Sequence, residues 1–165
     1  MKIKINEAEL SDLHSITDIY NSIIEEGGFT ADLVSYTYKE REPWFKSLLQ
    51  NKYIYTVTTD NKSIGYFYFS PWRSGREALS HTAEISFYLI KDYRAKGIGS
   101  QILQASLELA QKKNFNFLIA ILLDINTASK ALLEKFGFSV AGHLPQIANL
   151  KNIKCGQYIM LKKLN

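Results

Sequence analysis

A single cysteine, Cys155, leaves this chain of 165 residues without an internal disulfide and without metal sites built on several thiolates. Prolines number only three, and no stretch rich in Pro, Gly or Ser interrupts the chain, so one domain over residues 1–165 is expected. A domain of that length buries roughly two-thirds of its surface on folding. No apolar run approaches the ~20 residues of a membrane helix. The longest, Phe117 to Leu123, has the length of a buried strand. The start, Met1-Lys2-Ile3-Lys4-Ile5, alternates as a strand does and lacks the apolar core of a signal peptide, so no membrane partner and a cytoplasmic location are expected. Charge of one sign is also scarce. The net charge is +4, and the basic residues are scattered rather than striped along a helix. Nucleic acid is therefore not the expected partner, and what remains is a mild pull on anionic ligands. His14, His81 and His143 stand too far apart to suggest a metal site.

What is present reads as strand, two helices, three strands, helix, strand, helix, two strands. Residues 2–7 alternate as a strand. Ser11 or Asp12 caps a helix with apolar residues at Leu13, Ile16, Ile19, Tyr20, Ile23 and Ile24, stopped by Gly27-Gly28. Phe29 to Lys39 has no period and reads as a loop over a site, and Pro43 suits the first turn of a second helix ending near Asn51. Strands over 53–59 and 64–69 flank a hairpin turn at Asp60 to Ser63. A polar loop, Trp72 to Leu79, leads to a strand over 81–90. After the next helix come a buried strand over 115–123 and a short helix over 126–136 ended by Gly137. Strands over 138–141 and 157–162 close the chain. Hairpins mixed with strand–helix–strand units predict an α+β fold, a mixed sheet flanked by about four helices.

The most informative stretch is Tyr93-Arg94-Ala95-Lys96-Gly97-Ile98-Gly99-Ser100, between a strand and a helix predicted from Ser100 to Lys113. Two glycines there let the backbone approach a ligand, and amides at a helix start attract phosphate. Arg94 and Lys96 add positive charge. A dinucleotide fingerprint needs a third glycine where Ile102 stands, and an acid about 20 residues on, where Asn116 to Leu122 offers none. No G-x-x-x-x-G-K-[ST] string occurs. What remains is R-x-x-G-x-G, which resembles the acyl-CoA pyrophosphate loop of the GCN5-related N-acetyltransferases. About thirty residues on, Asn126-Thr127-Ala128-Ser129-Lys130-Ala131-Leu132-Leu133-Glu134-Lys135-Phe136-Gly137-Phe138 closely resembles that family's second motif, N-x-x-[AS]-x-x-L-x-E-K-x-G-F. A capped helix explains Asn126 and Gly137 alone, but not this order and spacing. Trp44-Phe45, Ser70-Pro71-Trp72-Arg73, Arg76-Glu77-Ala78 and Thr82-Ala83-Glu84-Ile85-Ser86-Phe87-Tyr88-Leu89 are similar to the phosphinothricin and methionine-sulfoximine N-acetyltransferase branch.

The resemblance implies an acetyl-CoA-dependent N-acetyltransferase acting on a small amino-acid-like amine by direct attack in a ternary complex, with a sheet splayed at the acetyl-CoA site, no metal, and a homodimer. Glu84, on one strand face with Thr82, Ser86 and Tyr88, is the expected base for the amine proton. Backbone amides of Phe87, Tyr88 and Leu89 are expected to meet the pantetheine arm and thioester oxygen, and Arg94, Ala95, Lys96, Gly97, Ile98, Gly99 and Ser100 the pyrophosphate. Asn126 is expected on the pantetheine and Lys130 near the 3′-phosphate, although for Lys130 a solvated helix face reads better. Trp72, Arg73, Arg76 and Thr82 suit an acidic acceptor, since arginine grips carboxylate or phosphinate bidentately. Phe29 and Thr30 are expected to roof the acceptor pocket. The chain departs from the pattern at Leu133, where many relatives carry a Tyr or His able to protonate the departing thiolate. Tyr88 is the candidate substitute. Cys155 lacks a neighbouring motif that would make it an acyl-enzyme nucleophile. Two rival readings stay open: a peptide or protein acetyltransferase, and a non-catalytic acyl-CoA-binding domain.

Overall fold

A computed structural model describes residues 2–164, so Met1 and Asn165, the two ends of the expected domain, lie outside the described residues. Seven strands form one sheet: β1 (Lys4–Glu7), β2 (Ile54–Thr59), β3 (Lys62–Pro71), β4 (Thr82–Leu89), β5 (Phe117–Leu123), β6 (Ser139–Leu150) and β7 (Ile153–Lys163). Their spatial order is β1-β2-β3-β4-β5-β7-β6, and every neighbouring pair is antiparallel except β4–β5. Four helices cover the two faces: α1 (Leu13–Glu26), α2 (Tyr38–Gln50), α3 (Ile98–Lys112) and α4 (Thr127–Lys135).

Strand alternation separates two cores. On one face Ile54 and Tyr66 pack with Ile16, Ile19 and Tyr20 of α1 and with Phe45 and Leu48 of α2. On the other, Ala83, Ile85, Leu118 and Ala120 pack with Ile98, Ile102 and Leu103 of α3 and Leu133 of α4. Burial of such side chains, each contributing about 1.5–3 kcal/mol, is what holds helices to sheet. The first core encloses a charge: Arg41 is buried, its guanidinium carbon 3.7 Å from the Trp44 ring centroid and 4.5 Å from that of Tyr20. Aromatic faces replace the anion that a buried cation usually requires.

The hairpin turn is as expected: Asp60 and Asn61 both take positive φ, as a two-residue loop of right-twisted strands demands. Three boundaries differ from the sequence reading. Helix α2 starts at Tyr38, five residues before Pro43, because Thr37 caps it: its hydroxyl accepts from Glu40 N–H at 3.3 Å, and Glu40 accepts from Thr37 N–H at 2.7 Å. Helix α3 starts at Ile98 rather than Ser100. The two short closing strands are the ends of one long hairpin, turning at Lys151-Asn152, whose register slips twice and so hides the two-residue period.

Candidate functional site

The site grows from a break in the sheet. β4 and β5 pair only from Thr82↔Phe117 to Glu84↔Ile119, and beyond that point they part. Ile90 N–H donates to Ile64 O at 3.0 Å. By strand alternation Tyr88 N–H therefore also faces β3, while the amides of Phe87 and Leu89 face the opening. The expected trio of free amides is thus a pair, and Tyr88 offers its side chain instead.

A cavity of about 390 Å³ fills the opening, walled by Phe87, Tyr88 and Leu89 on one side and by Asn126, Ser129 and Leu132 on the other. Its floor is the glycine turn, with Ala95, Gly97, Gly99 and Ser100 on the wall. Ala95 and Gly97 take positive φ, 56° and 77°, which folds the chain tightly before α3. Gln101 N–H donates to Gly97 O at 3.3 Å, the first bond of the helix, so the amides of Ile98, Gly99 and Ser100 have no intrahelical partner. Ile98 is fully buried and is not on the cavity wall, so the expected contact there falls to Gly99 and Ser100. Gly99 has a second duty, since a Cβ there would lie 3.1 Å from Leu132 Cδ2, where α3 meets α4.

The basic residues are arranged differently from the sequence reading. Arg94 is spoken for: Nε donates to Leu89 O at 2.8 Å, Nη1 and Nη2 lie 2.9 Å from the two Glu26 oxygens, and the guanidinium carbon sits 4.3 Å from the Phe29 ring centroid. It is a strut tying the end of α1 to the splayed strand, and the glycine turn is left with helix amides and the exposed Lys96. Lys130 pairs with Glu134 one turn along α4 and is not on the cavity wall. Asn126 caps α4, its Oδ1 accepting from Ser129 N–H at 3.1 Å, which leaves its amide NH₂ as the group it can offer a ligand. Phe29 lines this cavity beside Arg94, and Thr30 Oγ1 lies 2.8 Å from the Tyr20 hydroxyl.

Glu84 lies on the α1–α2 face, half-buried, cross-strand from Ser70. Among the described residues it accepts no hydrogen bond and makes no ion pair with Arg73 or Arg76. Burial pushes its carboxyl above the ordinary 4.5. Next to it on this face stand Tyr68 with Ser86, then Tyr66 with Tyr88. The Tyr88 ring is 5.1 Å from both Tyr20 and Tyr66, and burial raises its hydroxyl well above 10. Such a phenol stays protonated and keeps its proton to donate. Trp72 is anchored by its backbone N–H, which donates to Thr82 O at 3.0 Å, and Arg73, with φ 51°, and Arg76 extend exposed from the same end of the sheet. The structure brings Tyr88 and the glycine turn to one cavity, places Glu84 at the last paired position of β4 and off the cavity wall, and leaves both arginines exposed at the paired start of β4, away from the opening.

Sequence reasoning missed the tyrosine cluster and Asp32, which accepts from Tyr20 at 2.6 Å and Tyr36 at 3.2 Å and so pins the α1–α2 loop. Tyr66 and Tyr68, two apart on a strand facing Ser86 and Tyr88, were the available signal. Among the described residues no three metal-ligating side chains converge.

Comparison with known proteins agrees with this geometry. The sequence profile of the acetyltransferase (GNAT) domain matches residues 5–155. The Bacillus subtilis protein YwnH is 32% identical over 158 residues, 96% of this chain and 97% of YwnH. An L-methionine sulfoximine/L-methionine sulfone acetyltransferase of Pseudomonas aeruginosa is 30% identical over 149 residues, 89% of this chain and 86% of that protein. A phosphinothricin acetyltransferase of Sinorhizobium meliloti, solved in complex with acetyl-CoA, superposes with a TM-score of 0.93 at 26% identity, covering 100% of this chain and 90% of that one.

Proposed function

The chain belongs to the acetyltransferase (GNAT) family and is an N-acetyltransferase, and from that premise we propose that residues 1–165 form a single domain that moves acetyl from acetyl-CoA to the amine of a small amino-acid-like acceptor of the phosphinothricin or methionine-sulfoximine type. The observation that carries this is the opening between β4 and β5, with the amides of Phe87 and Leu89 on one side of the strand and Glu84 on its other face. The diphosphate rests on the amides of Gly99 and Ser100, with Lys96 supplying charge, and the pantetheine arm meets Asn126. The acceptor amine, relieved of its proton by Glu84 through water, attacks the thioester carbon in a ternary complex. The oxyanion that forms is met by the strand amides. The carbon–sulfur bond then breaks, and Tyr88 or water protonates the thiolate. The Pseudomonas relative supports the acceptor class.

A screen of amino acids and polyamines with thiol detection tests the acceptor, and turnover of methionine sulfoximine or phosphinothricin is the expected result. Arg73→Ala is expected to raise KM for that acceptor by roughly 10- to 100-fold, the weight of a charge-assisted bond of ~1.5–3 kcal/mol, with kcat changed less. A KM equal to wild type sinks the anion clamp, and acetyl-CoA binding without CoA release on any amine favours the binding-domain reading.

The enzyme is also proposed to work in the cytoplasm as a homodimer. Support for the dimer comes from β6, an edge strand that exposes Val140, Leu144 and Ile147, with Ile153 exposed across its turn. A long apolar edge is what an associating surface needs. Light scattering is expected to give twice the chain mass, 18.9 kDa, and a monomer at assay concentrations overturns it.

A further inference from the structure

Arg41, on α2, is a cation that the protein's own acids do not answer. It is 9% exposed, and three rings hold its guanidinium: the centroids of Trp44, Tyr20 and Tyr36 lie 3.7, 4.5 and 5.2 Å from its carbon. Rings cover the faces of a guanidinium, but its five N–H donors point outward in its plane. There Nε is sealed from solvent with no acceptor, and the Nη groups, also without one, keep contact with solvent. The Tyr66 hydroxyl is fully buried, raised by that burial and drawn down by the nearby guanidinium, and it has no hydrogen-bond partner either. Among the described residues no carboxylate pairs with Arg41. Asp32, the acid of the α1–α2 loop, gives its Oδ2 to the hydroxyls of Tyr20 and Tyr36 instead. Donors buried in this way are costly until an acceptor meets them.

The neighbours of this fork say what it could hold. Tyr68 meets the Trp44 ring edge-on at 5.2 Å. Its hydroxyl is raised chiefly by burial, and of the two opposite charges that reach it Glu84 raises it and Arg41 lowers it. Arg41 and Glu84 therefore flank one tyrosine on the α1–α2 face. We propose that Arg41 grips the α-carboxylate of the acceptor while Glu84 takes the proton of its amine, so that the acceptor is a free α-amino acid. The inference rests on the acetyl-transfer reading above and adds to it which group of the acceptor is read, and by which residue. An α-amino acid carries amine and carboxylate on one carbon, and the water between Glu84 and the amine gives so short a ligand the reach to span Tyr68. The fork takes a carboxylate by two parallel charge-assisted bonds. The same charge works against other amines. A polyamine brings a second cation, which Arg41 repels. A protein N-terminus offers a neutral amide where the carboxylate should be and forfeits the charge-assisted pair. Arg73, exposed at the start of β4, is left to the side-chain head of the acceptor.

The test is calorimetric titration of methionine sulfoximine, and of its α-carboxamide, into the CoA complex of wild type, Arg41→Met, Arg41→Lys and Arg73→Ala. Wild type is expected to bind the acid about 10- to 100-fold more tightly than the amide, the weight of a charge-assisted pair. Arg41→Met, which fills the cage with an apolar chain, is expected to bring that ratio to roughly threefold or less while binding the amide as wild type does. Arg41→Lys keeps a point charge without the fork and is expected to retain only part of the ratio. Arg73→Ala is expected to keep it whole. A wild type that binds acid and amide alike, or a preference lost in Arg73→Ala and kept in Arg41→Met, overturns the proposal. So does an Arg41→Met that melts lower and weakens both ligands equally, since Arg41 is then a packing residue only. Should Arg41→Met not fold, Arg41→Lys carries the test, and a ratio equal to wild type there overturns it. Tight binding of the acid with no CoA release from acetyl-CoA would sink the acetyl-transfer reading and leave the Arg41 clamp standing, whereas no binding of either ligand to wild type sinks both.

Discussion

Glu84→Gln is expected to lower kcat/KM by about 10²- to 10⁴-fold, the usual contribution of a positioned general base, and to leave the fold as stable as before or more so. The two halves of this expectation share one cause. Burial raises the Glu84 carboxyl above its ordinary value, so the charged form needed to accept a proton is also the form the fold disfavours. As a base Glu84 works only when deprotonated, so the wild-type rate falls as pH drops through the raised value, and that acid limb lies above 4.5. In Glu84→Gln the limb vanishes. For stability the sign is opposite. A group whose pKa is raised on folding favours the folded state below its unfolded pKa, and that contribution is lost as pH rises through the folded value. At neutral pH the carboxylate is therefore a cost that the neutral amide removes. Calorimetry at pH 7.5 and a rate profile over pH 5–9 check both. A Gln variant that is active, or one with an acid limb like that of wild type, rules Glu84 out as the base. Lost activity accompanied by a lower Tm would point to damaged structure instead.

Much of this site could be read before any coordinates, and the reason is local. Gly97 with positive φ, the helix start at Ile98 and the Asn126 cap are set by a few adjacent residues, so their spacing announces them. Glu84 and Tyr88 share a face because strands alternate. What stayed hidden depends on residues far apart in sequence. Nothing near Arg94 reveals that Glu26, 68 residues earlier, would take its guanidinium. Phe29 sits in a stretch without periodicity, and only the return of the α1–α2 loop over the sheet makes it a cavity wall. The start of α2 was legible in Thr37-x-x-Glu40, yet Pro43 drew the boundary toward itself, although a proline five residues in costs one helix bond and is tolerated here. The β6–β7 hairpin escaped because its register shifts break the alternation that marks a strand.

Gly65→Ala is expected to cost more activity than any change of its size elsewhere, because Gly65 sits back-to-back with the residues that open the sheet. It pairs with Leu89 across β3–β4, and a Cβ there would lie 2.5 Å from Tyr88 O and 3.2 Å from Leu89 Cδ1. Backbone cannot yield as a flexible side chain would, so β4 must move. It is joined to β5 only as far as Glu84, and its far end borders the cavity, so that end gives way. The shift carries the Phe87 and Leu89 amides and the carbonyl that Arg94 grips. Overpacking of this kind costs about 1–3 kcal/mol, which for a chain of this size lowers Tm by roughly 2–12 °C. The loss in catalysis is larger. A displacement near 1 Å at positioning groups costs on the order of 10²-fold, so kcat/KM should fall about a hundredfold and acetyl-CoA affinity at least tenfold. Calorimetric titration with acetyl-CoA, set beside the thermal melt, separates the two effects. Should Gly65→Ala bind acetyl-CoA as wild type does while melting several degrees lower, the close packing of β3 on β4 serves stability alone, and the end of β4 does not hold the donor.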